Sequence, residues 1–245
     1  ERTWSAWCQS RSSSRSRSLA SYPGEVSSER LLPTFPLGTV LVPGLVLPLH
    51  IFEQRYRDLV GDLLDQPEED REFVIVAIRD GHEVGSDGVR GVHDVGVIAT
   101  VREITPLDDG RFDLVTVGST RVRVEELLTE RSYLQAKVSP LPEQTGDDAA
   151  LLAPRVRAAF ATYRGLITDS EESTDDLPED PGVLSYLVAA ALILDVPDRQ
   201  RLLEVPDDSA RLLAELQRLR HETALLRTLP SLPALDLHTT PQSLN

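Results

Sequence analysis

Cysteine and long apolar runs are scarce in this chain of 245 residues, and each scarcity excludes a class of structure. Its single cysteine, Cys8, rules out an internal disulfide and any cysteine-based zinc site. Because a fold without disulfides suits a reducing compartment, we expect a cytoplasmic location. No apolar run approaches the ~20 residues that a membrane-spanning helix requires, so no membrane partner is expected.

Aromatic residues are also few, at 5%, and the formal net charge is −15. A chain this acidic repels phosphate backbones, and it has few rings on which bases could stack. Nucleic acid is therefore not an expected partner. Apolar residues nevertheless make up 40% of the chain, which is enough to bury a core.

The histidines do not follow a metal-ligand pattern, since none belongs to an H-x-x-x-H pair or has a cysteine partner. His82 and His93 flank an acidic loop, which we interpret as a solvated loop rather than a metal or acid–base site. The same loop is rich in glycine but lacks the G-x-G-x-x-G order of a phosphate cradle. We expect no metal, no cofactor and no catalytic residue.

The chain divides into four parts by composition. Residues 1–30 are rich in arginine and serine without apolar periodicity, which predicts a disordered tail. Residues 31–142 form a β-rich domain and residues 143–230 a helical bundle. Residues 231–245 are predicted to be a frayed end.

In the β-rich part, prolines at 33, 36, 43 and 48 predict extended chain with a turn at Pro43-Gly44. Apolar residues at helical spacing then predict a helix over 53–65. Asp109-Gly110 predicts a tight hairpin turn, and we interpret 80–93 as a loop and 118–120 as a bend. Short strands are predicted over 73–78, 95–104, 112–117, 121–125 and 134–139. Strands this short, joined by tight turns, predict a small barrel-like sheet.

After residue 142 the strand pattern stops and helical periodicity takes over. Helices are predicted over 148–168, 183–194, 198–203 and from 208 or 209 to Pro230, with an acidic linker over 169–180. Asp198 is the expected N-cap of the third helix. Asp208 or Ser209 is the expected N-cap of the fourth helix, whose apolar stripe would include Leu212, Leu213 and Leu216.

Three segments together carry a family resemblance. Their sequences are LPTFPLGTVLVPGLVLPLHIFEQRY at 32–56, GVIAT at 96–100 and DGRFDLVTVGSTRVRV at 109–124. The ordered pattern resembles the N-terminal domain of the Lon protease family, over about residues 31 to 141. The resemblance implies an α+β fold in which a PUA-like β pseudo-barrel is followed by a helical bundle. It also implies a role in recognising unfolded or tagged protein substrates.

The chain departs from the full-length protease of this family in two ways. It has no G-x-x-x-x-G-K-[ST] phosphate loop, which ATP-driven unfolding requires. Its only lysine, Lys137, lies in a predicted strand without the serine needed for a Ser–Lys dyad. We therefore predict a stand-alone, non-enzymatic form of the domain that lacks the ATPase and peptidase. The alternatives left open are a hydrolase related to Lon and a PUA-like reader of RNA or modified bases.

The expected partner is an unfolded or extended polypeptide, and a separate protease could be a second partner. We predict that exposed apolar side chains on the proline-rich segment and the first helix hold this polypeptide. Two arginines on one strand are expected to face outward and contact acidic groups. The candidate binding residues are Phe35, Val42, Leu45, Phe52, Arg55, Tyr56, Arg121 and Arg123.

Overall fold

The computed structural model describes residues 29–81, 89–167 and 177–228. The predicted tail lies outside these ranges except for its last two residues, and Arg30 already begins the first strand. The predicted frayed end and most of the predicted acidic linker also lie outside them.

Seven strands form the sheet of the described residues. They are β1 (Arg30–Leu37), β2 (Val46–Ile51), β3 (Glu72–Gly81), β4 (Val89–Val92), β5 (Val95–Pro106), β6 (Phe112–Leu128) and β7 (Gln135–Pro140). Strand β1 pairs in parallel with β3 and antiparallel with β7, and β7, β6, β5 and β3 pair in that order. Five strands therefore close into a ring, which confirms the barrel-like sheet. The other two lie on its edges, β2 against β6 and β4 against β3.

One buried apolar cluster takes side chains from each of the five ring strands. It contains Leu32, Val74, Val76, Ile98, Val122, Ala136 and Val138. Alternate residues of β3, such as Phe73 and Ile75, belong to a second cluster on the opposite face. A strand buried on both faces shows a continuous apolar run, which is why 73–78 is so uniformly apolar.

The second cluster is covered by helix α1 (Gln54–Leu64), which matches the predicted helix over 53–65. The helix buries Tyr56, Leu59 and Leu63 on one face, because residues three and four apart lie on the same side of a helix. The ring of Tyr56 stacks on Phe35 of β1 with centroids 3.9 Å apart. Helix and barrel thus share one core.

The predicted turn at Pro43-Gly44 is present and is attached to β6. Gly44 has a φ of 84°, which glycine adopts readily. Its N–H donates to the carbonyl of Gly118 at 2.8 Å, and the N–H of Gly118 donates to Leu45 at 3.0 Å. A Cβ at position 118 would lie 2.4 Å from the carbonyl oxygen of Val42. Glycine at 118 therefore permits this close contact between two backbone segments.

Two predictions about the sheet are wrong. The predicted loop over 80–93 contains strand β4, which pairs with the end of β3. The predicted bend over 118–120 does not interrupt β6. Ala99 pairs with Gly118 and Val97 with Arg121, so β6 carries one extra residue there. That extra residue is a β-bulge, which bends a strand without ending it.

The helical part contains four described helices. They are α2 (Ala149–Ile167), α3 (Pro181–Ala191), α4 (Val196–Glu204) and α5 (Asp208–Thr228). A third apolar cluster joins α2, α3 and α5, and Val156, Leu184 and Leu212 lie at its centre. Among the described helices, none is long and apolar enough to cross a membrane.

The N-caps of α4 and α5 differ from the prediction. Helix α4 is capped by Asp195, whose carboxylate accepts the N–H of Asp198 at 2.8 Å. Helix α5 is capped by Asp207, whose carboxylate accepts the N–H of Ala210 at 2.8 Å. Asp208 instead accepts the N–H of Gly146 at 2.7 Å. Acidic residues that are close in sequence compete for each cap, and tertiary contacts decide between them. Leu213, assigned to the apolar stripe, is exposed.

Candidate functional site

Three of the eight candidate binding residues are buried in the barrel core. Phe35 is 8% exposed, Val42 1% and Tyr56 5%. The prediction that they are exposed is wrong, because α1 covers the sheet face on which Phe35 lies. Val42 is buried where the Pro43-Gly44 turn contacts β6.

The exposed apolar residues of this region lie along strand β2. Val46, Pro48 and His50 alternate outward along the strand, and Phe52 follows its end. Phe52 is 52% exposed and Val46 is 43% exposed. We call these four residues the edge-strand surface. The predicted Leu45 is half-buried beside it and packs against the core.

The backbone of β2 is also open on one side. Among the described residues it pairs only with β6, and the carbonyl of Leu45 points toward β6, where it accepts the N–H of Gly118 at 3.0 Å. Antiparallel alternation then directs the backbone groups of Val46, Pro48 and His50 away from β6. Proline has no N–H, which is why it is tolerated at the outer edge of a sheet. An extended chain could add to this edge through the remaining backbone groups.

A polar cluster closes one end of the edge-strand surface. His50 Nδ1 lies 2.6 Å from Asp113, and Arg111 donates to His50 Nε2 at 3.1 Å. Arginine can only donate, so Nε2 accepts and the proton of neutral His50 lies on Nδ1. Hydrogen bonds from Arg111 also lower the pKa of Asp109. Because both ring nitrogens are occupied, His50 orients this corner and is not free to act as a base.

Arg55 lies three residues after Phe52, in the first turn of α1. Its guanidinium is 4.6 Å from the ring centroid of Tyr56 and 3.0 Å from the carboxylate of Glu53. The cation–π contact and the ion pair hold the side chain against the first turn of α1. Arg55 therefore gives the edge-strand surface a fixed, partly exposed cation at its border.

Arg121 does not face solvent, contrary to the prediction, since only 2% of it is exposed. Its Nε donates to Glu143 at 2.7 Å, and its Nη1 donates to the carbonyls of Leu203 and Val205 at 2.8 and 2.7 Å. These carbonyls end helix α4, where the last four are unpaired and a cation is favourable. The strand face that Arg121 occupies is covered by α4, which strand alternation could not reveal.

A second buried arginine, Arg211 of α5, contacts the same region. It stacks 4.0 Å from the ring centroid of Tyr186 and donates to the carbonyl of Leu202 at 3.1 Å. Tyr186 in turn donates to Glu143 at 2.6 Å, and burial raises the pKa of this tyrosine. We call Arg121, Glu143, Tyr186 and Arg211 the junction network, because it joins barrel and bundle. No sequence signal separates Arg211 from the solvent-facing charges of α5.

Beside the junction network is a cleft of about 180 Å³ between the barrel and α4. We call it the junction cleft. It is lined by Val95, Arg121, Arg123, Leu141, Pro142, Gln144, Glu204 and Pro206. Arg123 is exposed here, as predicted. Within the described ranges, no group of three or more His, Cys, Asp or Glu side chains could hold a metal ion.

These features define a class of protein. It has a closed β pseudo-barrel with the edge strands β2 and β4, joined by a polar network to a helical bundle. Residues 31–221 match the sequence model of the family described as the ATP-dependent protease La (LON) substrate-binding domain. The chain belongs to this family, which confirms the resemblance found in the sequence.

Individual relatives agree with this assignment. The Lon protease of Koribacter versatilis is 30% identical over 191 residues, covering 75% of this chain and 23% of the relative. The Lon protease of Escherichia coli K12 is 26% identical over 208 residues, covering 82% and 26%. The chain therefore spans about a quarter of the length of the curated relatives it matches.

Two solved structures show the same fold. The N-terminal domain of Mycobacterium avium complex Lon protease has a TM-score of 0.59 at 19% identity, covering 80% of this chain and 98% of that one. A Lon N-terminal domain protein from Xanthomonas campestris has a TM-score of 0.54 at 24% identity, covering 82% and 99%. The predicted α+β fold, a PUA-like β pseudo-barrel followed by a helical bundle, is confirmed.

Proposed function

We propose that this chain is a non-catalytic recognition module that binds an unfolded or extended segment of polypeptide. The family description, a substrate-binding domain, supports a role in recognition. Support for a non-catalytic role comes from the sequence, which has neither the phosphate loop nor the Ser–Lys dyad of the full protease. Delivery of the bound polypeptide to a separate protease is part of the same proposal.

The observation that carries this proposal is the edge-strand surface. Val46 and Phe52 are large, exposed apolar side chains at the two ends of a strand whose outer backbone edge is open. An extended polypeptide can bury apolar side chains against both and pair with part of the backbone edge. Pro48 interrupts that edge because it has no N–H, which limits pairing between copies of the chain. The buried candidates Phe35, Val42 and Tyr56 would support this surface from beneath.

Binding of this kind is expected to be weak and tolerant of sequence. Apolar burial contributes about 25 cal/mol per Å², and ordering a flexible polypeptide offsets much of it. Dissociation constants near the micromolar range are therefore expected. Leu45 and Arg55 flank the surface, and we expect them to contact the polypeptide at the Val46 end and at the Phe52 end of the strand, respectively.

The test is titration of the chain with a reduced and alkylated, permanently unfolded polypeptide, using its native form as the folded control. Phe52→Ser should weaken binding about tenfold, which corresponds to about 1.4 kcal/mol of lost apolar burial. The matched control is Leu151→Ser on α2, which removes another exposed apolar side chain, 72% exposed, far along the chain. Equal affinity for folded and unfolded polypeptide, or equal affinity of the two variants, would contradict the proposal.

A further inference from the structure

The junction cleft contains a cation that the fold does not neutralise. Arg123 lies two residues after Arg121 on β6 and is exposed at the cleft. Its guanidinium has no hydrogen-bond or ion-pair partner among the residues that the structure describes. Within the lining of the cleft, this distinguishes Arg123 from Arg121, whose guanidinium donates to Glu143.

Three carboxylates of this region form hydrogen bonds with groups other than Arg123. Glu125, on the same strand, accepts the hydroxyl of Ser139. Glu143 accepts from Arg121 and from Tyr186. Glu204, which lines the cleft itself, accepts the amide of Gln200 at 2.8 Å and lies 3.7 Å from His93. None of these three carboxylates pairs with Arg123, so the N–H donors of its guanidinium are available to a ligand.

The rest of the cleft limits what that ligand can be. Val95, Leu141, Pro142 and Pro206 supply apolar walls, and the two proline nitrogens cannot donate. The exposed amide of Gln144 is a second donor beside Arg123. Arg121 forms the fixed floor of the cleft, because its guanidinium donates hydrogen bonds to Glu143 and to carbonyl groups at the end of α4. At about 180 Å³ the cleft is smaller than a typical site for a whole ligand and suits one side chain or one chain end.

We propose that the junction cleft binds a carboxylate group of a polypeptide, with Arg123 as its charged anchor and Gln144 as a second donor. Guanidinium and carboxylate pair through two parallel hydrogen bonds, which gives both affinity and orientation. The apolar walls would contact the methylene groups next to the carboxylate. This inference goes beyond the proposed function, because the junction cleft and the edge-strand surface share no residue.

The carboxylate could belong to an acidic side chain or to a chain terminus, and two pairs of peptides separate these sources. The first pair is N-acetyl-Leu-Pro-Leu with a free carboxylate and the same peptide with a terminal amide. The second pair is N-acetyl-Leu-Asp-Leu-amide and N-acetyl-Leu-Asn-Leu-amide. Binding would be measured by NMR titration, following the side-chain N–H signals of arginine and glutamine.

In at least one pair, the carboxylate peptide should bind about tenfold more tightly than its neutral partner, the typical effect of a charge-assisted hydrogen bond. Arg123→Gln should abolish this preference. The matched control Arg102→Gln removes another exposed strand arginine and should keep it. A preference in the first pair alone assigns the site to chain termini, and one in the second pair alone assigns it to acidic side chains.

No preference in either pair, or a preference that survives Arg123→Gln, would overturn the proposal. Thermal unfolding of both variants checks that the fold is unchanged, since both side chains are exposed. The result of this titration is independent of the Phe52→Ser experiment. If the chain did not bind unfolded polypeptide, the preference for a carboxylate peptide could still be measured. If that preference were absent, binding of unfolded polypeptide could still be measured.

Discussion

At the scale of single residues, Arg121 and Arg123 occupy the same strand and differ completely in burial. Arg121→Met would leave the carbonyls of Leu203 and Val205 without this donor and would remove one of the two donors to the carboxylate of Glu143. We expect the free energy of unfolding to fall by about 3 kcal/mol, since buried groups lose their partners. Urea denaturation measures this change. Arg123→Met is the control and should stay within about 0.5 kcal/mol of the native chain. A loss in Arg121→Met as small as that expected for the control would show that Arg121 is not a structural residue.

Glu215 of α5 should make stability depend on pH. It is fully buried, and neither carboxylate oxygen has a hydrogen-bond partner in the described part of the chain. Burial raises its pKa well above the usual 4.5, and nearby Arg211 opposes this only in part. The folded state therefore keeps a proton that the unfolded chain releases, so stability falls as pH rises above about 4.5.

Glu215→Gln removes this proton and should change the pH profile. Between pH 5 and pH 8 the free energy of unfolding should fall less in the variant than in the native chain. Urea denaturation at both pH values measures the difference, because all other titrating groups are shared. Parallel profiles of the two proteins would mean that Glu215 does not hold its proton in the fold.

At the scale of elements, the contact between the Pro43-Gly44 turn and β6 depends on Gly118. A methyl group at 118 would lie 2.4 Å from the carbonyl oxygen of Val42, so Gly118→Ala must push the two segments apart. We expect a loss of about 2 kcal/mol and faster amide exchange at Gly44 and Leu45. Gly61→Ala on α1 is the control, because a Cβ there meets nothing within 4 Å. It should raise stability by about 1 kcal/mol through helix propensity. If the amides of Gly44 and Leu45 exchanged as slowly in Gly118→Ala as in the native chain, the close contact would be disproved.

The sequence predicts those elements that are determined by residues close together along the chain. The period of apolar residues predicts α1, and the φ preferences of Pro43-Gly44 predict the turn. Strand β4 is not predicted because it has only four residues and its pairing with the end of β3 contains register shifts, so the sequence lacks the alternation of a regular hairpin. The bulge in β6 was interpreted as a bend because one extra residue on a strand has the same local signal as a break.

The candidate site was predictable only in part, because exposure is a tertiary property. Phe52 follows the end of β2, and it is exposed as the binding hypothesis requires. Phe35 and Tyr56 have the same apolar character, yet they stack on each other under α1. Strand alternation places Arg121 and Arg123 on the same face of β6. Their burial differs only because α4 covers Arg121. Sequence patterns define which residues share a face, and they do not define what covers that face.

At the scale of the whole molecule, barrel and bundle share contacts that a division at residue 142 would cut. Tyr186 of α3 and Leu203 of α4 belong to the same buried cluster as the outer face of the barrel. The amide of Gln200 donates to the carbonyl of Val95 at 3.0 Å. The junction network adds two buried arginines to this contact. We therefore expect the chain to unfold as one cooperative unit, although its sequence divides into two compositional parts.

Two measurements test this cooperativity. Hydrogen exchange followed by mass spectrometry should show peptides of β5 and of α5 becoming exposed at the same urea concentration. A fragment covering 29–142 should unfold at a lower urea midpoint than the full chain, because it exposes the apolar surface that Tyr186 and Leu203 cover. If α5 exchanged at a lower urea concentration than β5 and the fragment kept the full midpoint, barrel and bundle would be independent domains. The junction network would then hold the two domains side by side without coupling their stability.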